Sequence, residues 1–333
     1  MNRTIILAST PLHLFGAVVI ALQEEQKYHL IYIDQKDKKY YIALIKWKNS
    51  PFKTTQILLS NKSSLFKKLK SKRGNIKKLF NIIEEINPNR LIVGNDRKTE
   101  ISATVAKFKN RVEIDYLDDG IHSYILERSS KFKYTLLDSI IRSLIYGKIV
   151  YTPKYIGCSS YIKKAYLFKP NLANSCIREK EIESLNIDIL KSDKIKEFIY
   201  NLIDKDIEDI LNSIETLLFL PHPKELNRDI LNILIKKFDS PKVAIKTHPR
   251  DNITSNLFKN AKNISKDVPT EALVLILPKD IKIIGFATTA LLTAKWLNSN
   301  LDITSIEFNS RDSRLSQLMK ESGIEIERGD KIW

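Results

Sequence analysis

Apolar residues along the chain gather in short runs, and most runs stop at a polar or glycine-containing turn that leads into sequence of helical period. Residues 4–9 read as a buried strand, Thr10-Pro11 as a helix start, and residues 12 to about 25 as an apolar helix. A strand, a tight polar turn and a helix open a doubly wound sheet. Further strands are predicted at residues 29–34, 56–59 and 90–93, with a helix over 99–108. The run 112–120 then alternates and stops abruptly at Asp118-Asp119-Gly120, so it delivers carboxylates to the C-terminal edge, where open α/β sheets place their ligands. A last strand is expected near residues 165–168, and charged helical sequence over 177 to about 214 reads as the connection between domains. A second series follows, with strands at 216–220, 242–245, 281–284 and 303–308 and helices at 225–238 and 290–297. The expectation is an α/β protein with two Rossmann-like domains, residues 1–170 and 171–333, facing a central cleft.

Composition agrees with two domains, because 333 residues suit about 150 residues per domain and 43% hydrophobic content can fill two cores. Lys and Arg outnumber Asp and Glu by 55 to 39, a formal charge of +16, which points to an anionic partner. The lysine-rich segment 62–80 carries one apolar stripe and a dense cationic face. It reads either as a solvated surface helix or as a peripheral contact with anionic lipid. The +16 charge and 13 tyrosines also admit a nucleic-acid-binding protein, but no compact recognition motif supports one, and nucleic acid is not expected as a partner. Two cysteines, Cys158 and Cys176, with no clustered histidines, argue against a zinc site and give no reason for an oxidising compartment. The N-terminal apolar run is interrupted by Ser9-Thr10-Pro11, and residues 136–151 are too short and charged to span a bilayer. The expected placement is therefore cytoplasmic, either free or held by charge against the inner face of the cell membrane.

Candidate chemistry lies at the strand ends. Asp118 and Asp119 read as a polar turn, as a general base with a raised pKa, or as a cation site lacking a third carboxylate. His248 follows Lys246 on an extended segment, so both side chains point to one side and suit one phosphate; His222-Pro223 is a weaker second pair. Gly285 leads into Thr288 and Thr289, which read as a helix cap and equally as a phosphate cradle. Glu271 reads as a first-turn acid or as an acceptor for ribose hydroxyls. The glycine fingerprint for dinucleotides is missing, since only Gly16 lies near the first turn.

Asp118-Asp119-Gly120, His248-Pro249 and Thr288-Thr289, in that order, resemble the bacterial GT-B sialyltransferases of glycosyltransferase family 52, with motifs shared by bacterial polysialyltransferases. Ser9-Thr10-Pro11-Leu12-His13-Leu14 is similar to the first strand-to-helix turn of that family. The resemblance implies a GT-B fold and inverting transfer of sialic acid from CMP-sialic acid to a galactoside-type hydroxyl of a lipooligosaccharide or capsule glycan. It gives Asp118 or Asp119 as general base, with Asp118 preferred, and His248 assisting departure of CMP. It also implies substrate contacts at Ser9, Thr10, Gly120, Lys246, Pro249, Glu271, Gly285, Thr288 and Thr289, with no cofactor or metal. Both hydroxyl positions are Thr where the family often has Ser. The partners so implied are CMP-sialic acid and a glycan or glycolipid acceptor, with a homodimer also compatible. The alternative left open is a GT-B enzyme that uses another nucleotide sugar.

Overall fold

The structure is a computed structural model that describes residues 3–35, 38–60, 64–126, 135–223, 226–248, 251, 254–286, 288–308 and 313–329. The chain divides into two compact units, Met1–Phe198 and Ile199–Trp333.

The first unit is built on a seven-stranded sheet in the order β3-β2-β1-β4-β5-β6-β7, every pair parallel. Its strands are β1 (Thr4–Ala8), β2 (Tyr28–Gln35), β3 (Phe52–Leu59), β4 (Arg90–Val93), β5 (Glu113–Leu117), β6 (Ile162–Leu167) and β7 (Glu181–Ser184). All five residues of β1 are buried, as a central parallel strand requires, and this explains a run with no polar alternation. The Pro11–Gln23 helix starts where Thr10 Oγ1 accepts from the His13 amide at 3.2 Å and where Pro11 lacks a donor to satisfy. It is apolar on nearly every side because it is buried from Leu12 to Ala21.

The first unit extends beyond residue 170. Over 177–214 the structure holds β7, the Asp193–Tyr200 and Ile207–Asn212 helices and a short 3-10 turn, where the sequence predicts a helical connection. The β7 sequence Glu-Ile-Glu-Ser sits at the sheet edge with no residue fully buried, so it carries no apolar signal to distinguish it from charged helix. Phe198 then anchors the following helix, with its ring 5.2 Å from Trp47 and 5.5 Å from Phe15. Cys158 and Cys176 are joined by a disulfide across Cα atoms 5.7 Å apart. Their spacing in the sequence gives no sign of the bond.

The second unit holds a six-stranded parallel sheet, β10-β9-β8-β11-β12-β13. Its strands are β8 (Thr216–Phe219), β9 (Val243–Lys246), β10 (Lys262–Ile264), β11 (Lys282–Gly285), β12 (Asp302–Glu307) and β13 (Glu325–Arg328). Leu218, Leu234, Phe238, Ile245, Phe286 and Ile306 form the core on one side of it. Residues 273–277 lie mostly in the Thr270–Leu275 helix. Among the described residues, no helix is long and apolar enough to cross a membrane.

Candidate active site

In the first unit the strand order turns back between β1 and β4, which is where a doubly wound sheet opens a crevice at its C-terminal edge. Three chain segments leave the sheet there: Ser9 to His13 after β1, Gly94 to Asp96 after β4, and Asp118 to Gly120 after β5. The acidic pair is thus delivered to the edge, but its two members do different things.

Asp118 is fully buried. Its Oδ1 accepts from the Gly120 amide at 2.9 Å and Ser123 Oγ at 2.7 Å, and its Oδ2 accepts from the Phe168 amide at 3.0 Å and from the Tyr124 hydroxyl. Burial pushes its pKa up to about 6, and these donors pull in the other direction. Gly120 sits at φ +70°, a conformation that favours glycine and lets its amide fold back onto Asp118. Asp118 is therefore a structural post tying β5, the following turn and β6 together.

Asp119 is the member turned to the edge, with its side chain 7% exposed. Its Oδ1 lies 2.7 Å from His13 Nε2, close but without the alignment of a hydrogen bond, and its Oδ2 accepts from Asn95 Nδ2 at 2.6 Å. The Ser9 amide donates to His13 Nδ1 at 3.3 Å, which leaves the proton of a neutral ring on Nε2, facing the carboxylate. Gly94 makes room for that ring, since a Cβ there would lie 2.5 Å from Nδ1. The arrangement is a carboxylate oriented by an imidazole and an amide, suited to taking a proton from a hydroxyl. Ser9 is part of it through the imidazole, whereas Thr10 spends its hydroxyl on the helix cap.

Asp96, next to Asn95, is also buried and accepts from the Gly157 amide at 2.9 Å and the Ser159 amide at 3.3 Å. Burial pushes its pKa up to about 7, and the nearby charge of Asp119 adds to the rise. Because this folded pKa stands above the ordinary 3.8, the stabilising contribution is complete below about pH 4 and is lost as the pH rises through 7. Asp96→Asn cannot ionise. Whatever constant offset it introduces, its stability relative to the wild type rises between pH 5 and pH 8 by about 3 kcal/mol, since about two pH units of that window lie below the folded pKa. Urea unfolding at both pH values measures this, and parallel pH profiles would remove Asp96 as the source.

In the second unit the strand order turns back between β8 and β11, and the candidate phosphate groups stand on the segments leaving that edge. Lys246 ends β9, is buried, and its Nζ donates to the Lys266 carbonyl at 3.1 Å. His248 packs edge-on against His222, ring centroids 4.8 Å apart, because Phe219 of β8 pairs with Lys246 of β9 and each strand runs on into its own His-Pro. The discounted His222-Pro223 is therefore the neighbour of His248, and the repeated pattern of apolar strand followed by His-Pro is the signal for it. Pro249 lies outside the described residues. Glu271 opens the Thr270–Leu275 helix; burial raises its pKa, and the charge of Lys246 opposes the rise.

Thr288 caps the Thr289–Leu297 helix by backbone geometry alone, with its Oγ1 buried and, among the described residues, without a hydrogen-bond partner. A helix N-terminus without a side-chain cap, next to an unsatisfied hydroxyl, is suited to an oxyanion. Thr289 is exposed on the first turn. Gly285 brings β11 close to this helix, since a Cβ there would lie 2.8 Å from Leu291 Cδ2.

Likeness to solved structures gives the fold class. The chain is similar to Arabidopsis thaliana UGT89C1 complexed with UDP-L-rhamnose, with a TM-score of 0.56 and 8% identity over 98% of this chain and 86% of that one. It is also similar to UDP-N-acetylglucosamine 2-epimerase from Rickettsia bellii, with a TM-score of 0.55 and 14% identity over 96% of this chain and 87% of that one. At these identities the likeness is one of fold, and the fold is GT-B. A model of glycosyltransferase family 52 matches residues 25–309, and the chain belongs to that family. An uncharacterized protein of Haemophilus influenzae is 28% identical over 157 residues, 43% of this chain and 51% of that protein. The chain thus spans about half the length of the curated relative it matches.

Proposed function

We propose that the chain is an inverting sialyltransferase that moves sialic acid from CMP-sialic acid to a galactoside-type hydroxyl of a surface glycan. The observation that carries this reading is that the three ordered motifs all follow strand ends: Asp119 stands at the C-terminal edge of the first unit's parallel sheet, and His248 and Thr288 stand at that of the second unit's sheet. Membership of family 52 supports it.

In this reading Asp119 is the base. It accepts the proton of the acceptor hydroxyl as that oxygen forms a bond to the anomeric carbon of sialic acid. The bond from that carbon to the phosphate oxygen breaks on the opposite face, so the configuration inverts and CMP departs with the electron pair. His248 donates a hydrogen bond or proton to the leaving phosphate, Lys246 neutralises its charge, and the amides and hydroxyl at Thr288 bind its oxygens. Glu271 binds the ribose hydroxyls. No metal is invoked, because the oxygens of Asp118 are occupied by four donors and those of Asp119 meet His13 and Asn95.

The donor is tested by thermal unfolding with CMP, UDP and GDP. A nucleotide bound only by the native state stabilises it by about 2.7 kcal/mol at 100 times its Kd. The expected result is a rise in Tm with CMP, absent with UDP and GDP. A rise with UDP or GDP and none with CMP would instead indicate a family member with another nucleotide-sugar donor.

A further inference from the structure

The Thr135–Tyr146 helix is built inside out. Its polar residues face the protein: Arg142 donates to the Arg97 carbonyl at 2.9 Å and to Thr99 Oγ1 at 2.6 Å, and Asp138 lies 3.9 Å from Arg97 and 3.8 Å from Arg142. Ser139 Oγ accepts from the Thr152 amide at 3.0 Å, and Ser143 Oγ from the Val150 amide at 2.9 Å. Its apolar residues face outward, with Leu136 73%, Leu144 76%, Ile140 48% and Leu137 45% exposed, and Ile149 just beyond is 79% exposed. At 3.6 residues per turn, these four leucine and isoleucine positions fall within an arc of about 100°, separate from Asp138, Ser139, Arg142 and Ser143. A continuous apolar face of this kind marks a surface that something covers.

The surroundings indicate what covers it. The Leu65–Ile86 helix lies alongside, joined by Arg73 Nε donating to the Ile145 carbonyl at 3.0 Å. It exposes Lys67, Lys68, Lys70, Lys77 and Lys78, and Lys148 is exposed at the end of the apolar face. A second copy of the chain meeting this surface about a twofold axis would bring these cations against one another, which is repulsive. Phosphate headgroups would neutralise them while the acyl boundary takes the leucines. The helix has 12 residues, about 18 Å, far short of a bilayer core of about 30 Å, so it suits the interface and not a span. We propose that this outward face, with its lysine collar, docks the protein on an anionic phospholipid bilayer. The docking does not depend on the identity of the sugar donor.

Co-sedimentation of the full chain with vesicles tests it, comparing phosphatidylcholine alone with equal parts phosphatidylcholine and phosphatidylglycerol. The expected partition into the anionic vesicles exceeds that into the neutral ones about tenfold and falls with added salt. Leu136→Ser, Ile140→Ser and Leu144→Ser together lower it about tenfold or more, and Lys67→Gln, Lys68→Gln and Lys70→Gln together remove the lipid-charge preference. Because these side chains are exposed, both variants keep the wild-type Tm, which separates loss of docking from loss of fold. The proposal is overturned if the wild type stays in the supernatant, or if the serine variant partitions like the wild type. It is also overturned if velocity sedimentation shows a dimer that the serine variant abolishes while vesicles bind neither protein.

Discussion

Asp119→Asn lowers kcat roughly 10²- to 10⁴-fold at saturating donor and acceptor. The Asp119 carboxylate is the only one of the acidic pair with exposed side-chain surface, and it is oriented from both sides, with His13 Nε2 at 2.7 Å and Asn95 Nδ2 at 2.6 Å. An amide in its place cannot accept the acceptor's proton, so the loss falls on the chemical step and not on donor binding. Stability should change by only about 1 kcal/mol, because the lost contacts lie at the rim of the sheet. Steady-state kinetics and a melting curve on the same preparation check both halves. A variant that turned over near the wild-type rate would leave the reaction without its base.

Asp118→Ala has the opposite profile. It removes the common acceptor of the Gly120 and Phe168 amides and the Ser123 and Tyr124 hydroxyls, all in a buried setting. Unsatisfied buried donors cost about 1–3 kcal/mol each, and partial relaxation brings the expected total to about 3–5 kcal/mol. Asp118→Asn keeps one acceptor oxygen and loses less. Urea unfolding monitored by tryptophan fluorescence measures the difference. If Asp118→Ala unfolded at the wild-type midpoint while abolishing transfer, the roles of the two aspartates would be reversed.

The strands that form the centres of both sheets are legible in the sequence because central parallel strands are buried on both faces and read as plain apolar runs. Edge elements are not: β7 carries two glutamates, and the Lys39–Lys46 helix buries only Ala43 and Leu44. At the site, Asp118-Asp119-Gly120 stands out because it interrupts a strand. Which aspartate is available is a matter of tertiary donors contributed by Phe168 and Tyr124, far along the chain or beyond the turn. His13 escapes notice because it sits in a helix of leucines, valines and alanines, where a lone histidine looks like part of the core. It is in fact fully buried, yet it reaches Asp119 because β1 and β5 flank β4 and leave the sheet at the same edge. Asn95 and Gly94 carry no pattern at all before that neighbourhood is known. The Thr288 position is legible as a helix start, and what points beyond a cap is its hydroxyl, buried and unpartnered among the described residues.

The central claim is the transfer itself, and intact-mass analysis tests it most directly. The full chain is incubated with CMP-sialic acid and a lactose-type galactoside, with Asp119→Asn as the paired control. The account predicts an acceptor mass increased by one sialic acid with the wild type and almost none with the variant. An unchanged acceptor across a panel of galactosides, with transfer from a UDP- or GDP-sugar in the same assay, would contradict it.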